Sequence, residues 1–154
     1  MRVEIDQSGK IEDTSKDTVI AFSNGVSFSV KIPGRVKRQL QEEFRRRGEP
    51  QLFIYRVFAA GVYLLCKKFF QKLNIVIIDR EYKGHESQIK DMLLEYIRKK
   101  KVKKVPEFEF EETGKKSRAH DLASRVAHKK KKADITLSLR QIRNLAIKND
   151  RASR

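Results

Sequence analysis

The 154-residue chain carries a single cysteine, Cys66, which excludes an internal disulfide and a thiolate zinc site and fits a reducing, cytoplasmic setting. No apolar run is long enough to span a bilayer, and the first ten residues lack the apolar core of a signal peptide. Zinc-finger spacing, an aromatic ribonucleoprotein motif and a Walker loop are all missing, as are internal repeats and a separate linker. Acids are absent from residue 51 to residue 74, a gap that matters below. Methionine and cysteine are scarce while Lys, Arg and Glu abound, a balance that suits a heat-adapted source.

What is present is positive charge. Lys and Arg number 36 against 20 Asp and Glu, a formal +16, while the apolar fraction of 39% is ordinary for a folded chain. A folded protein with a polyanionic partner fits this balance; nucleic acid is the first candidate and a membrane surface the second. Length allows one domain with a real core, expected over residues 1–133, followed by a basic extension over 134–154 with a short amphipathic helix.

The middle of the molecule is expected at Ile75, Val76, Ile77 and Ile78, too apolar for a strand with one face in water and suited to a central strand covered on both sides. It runs into Asp79, with Glu81 two residues on and on the same side of an extended chain. Ahead of it, residues 2–5 alternate and end in Asp6; residues 16–23 and 26–32 form two further strands joined by the hairpin signal Asn24-Gly25. Helices are expected over 35–47, 52–73, 85–99 and 117–128, the last capped by Ser117. Residues 107–111 read as a strand with Phe108 and Phe110 inward, followed by a turn at Thr113-Gly114. Residues 135–139 read as a short strand or arm, 140–148 as a last amphipathic helix and the final residues as frayed. The class is therefore α/β: a three-strand antiparallel meander plus parallel strands, flanked by helices.

Carboxylates at the ends of two strands are how a protein holds a hard divalent cation. Asp79 equally suits the start of a turn before Gly84. The runs Ile5-Asp6-Gln7-Ser8-Gly9 and Ile78-Asp79-Arg80-Glu81-Tyr82 resemble the first-strand and fourth-strand acid motifs of the ribonuclease H-like superfamily. Ser117-Arg118-Ala119-His120-Asp121-Leu122-Ala123 resembles its carboxy-terminal helix motif, with His120 at the acidic ligand position. The resemblance covers roughly residues 2–128, mostly as an order of elements, and implies a metal-dependent nuclease. Its ligands for Mg²⁺ or Mn²⁺ are expected to be Asp6, Asp79 and His120, with Asp121 as a substitute. Helical spacing puts Ala119, Leu122, Ala123, Val126 and Ala127 on one stripe, His120 at its border and Asp121 on the far side. A boundary histidine bonded to backbone is the other reading of His120.

One departure stands out. The family has a glutamate early in the helix before the fourth strand, where this chain has Arg56. Arg56 is either a phosphate clamp or a mark of lost catalysis. Glu81, Glu43, Glu42 and Glu4 are the candidate replacements, with Glu4 and Glu81 on the same strand faces as Asp6 and Asp79. With the site complete, two ions about 4 Å apart would activate water for in-line attack on a phosphodiester. The basic runs Arg45, Arg46, Arg47; Lys99, Lys100, Lys101; Lys103, Lys104; and Lys129, Lys130, Lys131, Lys132 are expected to neutralise backbone phosphates. Partners are then RNA, an RNA–DNA hybrid or a DNA junction, and the apolar side of 135–146 offers a homodimer surface. The competing class is a noncatalytic nucleic-acid-binding protein of the same fold with a decayed site. A basic subunit that binds an acidic protein is the third.

Overall fold

The hairpin signalled by Asn24-Gly25 joins β2 (Thr18–Asn24) to β3 (Val26–Ile32), with Asn24 opposite Val26 and Gly25 at φ 77°. β1 (Arg2–Ser8) lies antiparallel along β2, Ile5 opposite Phe22 and Asp6 opposite Ala21. These belong to a computed structural model that describes residues 1–112 and 117–148, so the expected turn at Thr113-Gly114 and the last six residues lie outside the described residues.

On its other side β1 pairs in parallel with β4 (Ile75–Asp79), and β4 with β5 (Glu107–Glu111). β6 (Ile135–Thr136) pairs in parallel with β3, so the mixed sheet runs β5-β4-β1-β2-β3-β6. The continuous apolar run of β4 is explained by this place: Val76, Ile77 and Ile78 are all buried between neighbours on both sides. β5 is an edge, and its outward Glu107, Glu109 and Glu111 are exposed, charges that discourage pairing with another chain.

Four helices cover one face: α1 (Gly34–Arg46), α2 (Phe53–Cys66), α3 (Glu86–Lys99) and α5 (Leu139–Ala146). They share the main core with Val3, Ile5, Ile20, Phe22, Val30, Ile32, Val76 and Ile78. α2 is buried on nearly all sides, and Gly61 lets it approach the sheet: a Cβ there would stand 2.6 Å from Ile20 Cδ1. The helix expected over 52–73 stops at Cys66 and passes into a short 3₁₀ turn, Lys67–Phe69. Geometry gives the reason. Fourteen helical residues span about 21 Å, close to the roughly 23 Å of a seven-residue strand, whereas the longer helix would overhang the sheet.

Among the described residues α4 (Arg118–Ala127) is the helix on the opposite face, where Leu122, Ala123 and Val126 pack on Val19 and Ala21. Ser117 caps it by accepting from the His120 N–H at 3.0 Å. Within the segment set apart above as an extension, residues 134–147 pack on the sheet and the main core. Asp134 accepts from the Ser29 N–H at 2.8 Å, β6 extends the sheet, and Leu137, Ile142, Leu145 and Ala146 are in the main core.

Three helices end alike. After α1, α3 and α4 the chain turns back through a left-handed residue, with the Glu49 N–H donating to Phe44 O, Val102 to Ile97 O and Lys130 to Arg125 O. Glycine is the usual occupant of that position. Gly48 holds it after α1, but Lys101 (φ 56°) and Lys129 (φ 61°) hold it after α3 and α4. A cation beside the last carbonyls of a helix offsets part of the steric cost.

Candidate active site

β1 and β4 lie in parallel register, Glu4 beside Ile77 and Ile5 beside Ile78. One residue on come Asp6, where β1 runs on to Ser8 along β2, and Asp79, the last residue of β4, and alternation puts both on the α4 face. The buried stripe of α4 rests on β2, and that seating brings His120, at the stripe's border, over the end of β1. His120 Nδ1 is 2.8 Å from Asp6 Oδ2. Asp6 Oδ1 accepts from the Gln7 N–H at 2.7 Å. Asp6, Asp79, Glu81 and His120 all line one open cavity of about 530 Å³ together with Gln7, Ser8, Gly9, Lys10, Asp13 and Lys16.

Asp6 is 5% exposed, and burial pushes its carboxyl above the usual carboxylate range. The Gln7 N–H pulls it back, the negative charge of Asp79 adds a smaller upward push, and His120 opposes that. The site is therefore electrostatically uneasy: two carboxylates side by side, one of them nearly dry. A divalent cation is what such a pair accommodates, and carboxylate oxygens with an imidazole nitrogen suit Mg²⁺ or Mn²⁺. Asp6 and His120 are spent on each other, however. Among the described residues no three His, Cys, Asp or Glu side chains are already grouped to hold a metal ion. The expected convergence thus extends to a shared cavity and one direct contact. On the donor chemistry the residues fit a cation that replaces the Asp6–His120 bond.

Other expected members lie elsewhere. Asp121 is exposed on the far flank of α4, 4.0 Å from Arg125, and lines a different cavity. Arg56 is 7% exposed, its guanidinium 3.1 Å from Glu95 on α3, and Tyr96 donates to its carbonyl at 3.0 Å. It is absent from the walls of the acidic cavity and ties α2 to α3 instead, because an ion pair with a facing helix is the lowest-cost way to bury a guanidinium there. Glu4 is 3.8 Å from Arg2, and Glu43 binds Arg143 at 2.9 Å; neither lines the cavity, nor does exposed Glu42 on α1.

The basic runs also separate. Arg47 donates to Lys148 O at 3.1 Å and Lys99 to Asn144 O at 2.6 Å, so one residue from each of the runs 45–47 and 99–101 is tied to α5 or its end. Lys129, Lys130, Lys131 and Lys132 follow α4 on the opposite face. None of these lines the acidic cavity.

Several residues in and around the site were not anticipated. Lys10 and Lys16 are the cations that do line the cavity, supplied by the loop between β1 and β2. Lys37, fully buried on α1, holds that loop: its amine donates to Asp13 O at 2.7 Å, Thr18 Oγ1 at 2.9 Å and Lys10 O at 3.1 Å. Glu111 is the register partner of Asp79 on β5, which puts a third carboxylate at the same end of the parallel strands. The Glu/Phe alternation of β5 carried that signal in its outward half. Tyr82 buttresses the floor, accepting from Gln7 Nε2 and the Ile11 N–H, both at 3.1 Å. Gln7 Oε1 is buried with no partner among the described residues.

Comparison with protein-family models, with curated proteins and with solved structures finds no match to this chain.

Proposed function

We propose that this chain is a divalent-metal-dependent nuclease of ribonuclease H-like fold that hydrolyses phosphodiesters in structured or duplex nucleic acid. The observation that carries the reading is the meeting of Asp6, Asp79, Glu81 and His120 on one cavity at the carboxyl ends of adjacent parallel strands. The chain order of three strands, helices, β4, α3, β5 and α4, with β1 and β4 side by side, supports the fold assignment, since the resemblance rests on that order of elements. Asp6 and Asp79 would hold Mg²⁺ or Mn²⁺, with His120 and Glu81 as further donors. Bound there, the ions would supply an activated water and charge stabilisation for the leaving oxygen. Lys10 and Lys16 bind the phosphates on either side of the scissile bond. His120 orients the Asp6 carboxylate through its Nδ1 contact, and release of that contact frees Oδ2 for the cation.

The noncatalytic reading draws on the closed Asp6–His120 pair and on Arg56 in place of an acid. One screen separates the two. RNA duplex, RNA–DNA hybrid and branched DNA are incubated with Mg²⁺ or Mn²⁺ and wild type, Asp6→Asn or Asp79→Asn. Cleavage by the wild type alone, with binding kept in the variants, is the expected result. Binding without cleavage on every substrate and metal would leave the noncatalytic reading in its place.

A further inference from the structure

α4 has two flanks. One carries His120 to the acidic cavity; the other carries Arg118, Asp121 and Arg125 into a second open cavity of about 530 Å³. Ser23 and Ser27, from the β2–β3 hairpin, and Lys131 complete its walls with Ser117 and Leu122. Three cations there face one carboxylate, Asp121, which is 4.0 Å from Arg125. The Ser23 and Ser27 hydroxyls are 2.8 Å apart and so present a paired donor-acceptor edge.

Lys131 reaches this cavity for a specific reason. Lys129 takes the left-handed conformation at the end of α4, and the Lys129 and Lys130 amides donate back to Val126 O and Arg125 O. The chain reverses over the helix end, and Lys131 comes to lie with Arg125. Without that reversal the lysine run would be a diffuse solvated tail. Ser117 and Arg118 also place the amino end of α4 in the wall, whose dipole favours an anion.

We infer that Ser23, Ser27, Arg118, Arg125 and Lys131 bind consecutive backbone phosphates of one strand of a B-form DNA duplex on the side of α4 away from the acidic cavity. The inference rests on the nuclease reading for the identity of the anion. The two cavities lie on either flank of one helix, about 10–12 Å across with side chains, close to the roughly 12 Å between backbones across the major groove of B-form DNA. α4 then acts as a ridge that the duplex straddles: one backbone sits against Asp6 and His120, the other against Arg118 and Arg125. Lys129, Lys130 and Lys132 add long-range attraction, while Lys131 makes the contact.

The test is anisotropy of a short fluorescein-labelled duplex, without divalent cation, over a series of salt concentrations. Arg118→Gln/Arg125→Gln should weaken binding about tenfold and lower the slope of log affinity against log salt by about two. Lys131→Gln, beyond the helix and unable to unfold it, should lower the slope by about one. Lys67→Gln/Lys90→Gln, which removes the same charge from exposed sites elsewhere, should leave the slope within error. Where the wild type cleaves, the double variant should raise KM with kcat held. Wild-type binding with equal slopes in all variants overturns the inference alone. Failure of the wild type to bind or cleave any duplex overturns the nuclease reading, and the inference with it.

Discussion

Replacing Asp6 with asparagine should stabilise the cation-free protein while abolishing cleavage. Asparagine keeps the shape: its oxygen can still accept from the Gln7 N–H, and its amide can donate to His120 Nδ1. What disappears is a negative charge that is 5% exposed and lies beside Asp79. Burial raises the Asp6 carboxyl above its ordinary 3.8, so the folded chain binds a proton more tightly than the unfolded one. Stability from this group is therefore full well below pH 3.8 and is lost as pH rises through the higher native value. The variant escapes that loss. A gain of about 1–2 kcal/mol at neutral pH is expected, or about 2–6 °C in Tm. It should vanish in acid, where the wild-type carboxyl is itself neutral. Saturating Mn²⁺ should invert the order, because a cation at a hundredfold excess over its Kd adds about 2.7 kcal/mol to the wild type only. Thermal and urea melts at neutral and acid pH, with and without Mn²⁺, give the answer. An Asp6→Asn effect that is equal at both pH values and indifferent to Mn²⁺ would refute the charge argument.

Lys37→Met removes the donor from Asp13 O, Thr18 Oγ1 and Lys10 O and should cost about 1–3 kcal/mol at neutral pH in urea melts. Burial pushes the wild-type amine down to about 8, so between that value and 10.5 the unfolded chain holds a proton the folded chain sheds. Wild-type stability from this group rises with pH across that window, and the gap to the variant should widen; a constant gap counts against the buried-amine account. Lys101→Gly should raise Tm by about 1–4 °C and Lys101→Ala should not, since only glycine relieves a left-handed backbone at φ 56°. Equal melts for the two would show the turn to be unstrained.

Strand and helix placement followed from local chemistry. The place of the β2–β3 hairpin is legible from Asn24-Gly25, although Asn24 joins β2 opposite Val26 and only Gly25 takes a positive φ, and the Ile75–Ile78 run declares a buried strand inside the sheet. α4 was read down to which side chain faces the sheet, because small and apolar residues recur there at helical spacing. Tertiary facts were hidden. Nothing in the local sequence tells Arg56 that Glu95 lies opposite, so the sequence leaves it as either a phosphate clamp or a mark of lost catalysis. Nor does a run of lysines reveal which face it will occupy; that depends on where α5 docks and on the chain reversal at Lys129. Glu111 was missed because strand register, not composition, brings it beside Asp79. The pairing of Asp6 with His120 was foreseeable in identity, since both sit in recognisable motifs, but not in contact.

Asp6 and His120 touch across 114 positions of chain. A nascent polypeptide can close the β1–β2–β3 meander early, from neighbours in sequence, yet it owns no working cavity until α4 has been synthesised and seated. On the nuclease reading, partly made or cleaved chains lacking α4 would keep the acidic strand residues and lack His120, so the site is complete only once α4 is seated on β2.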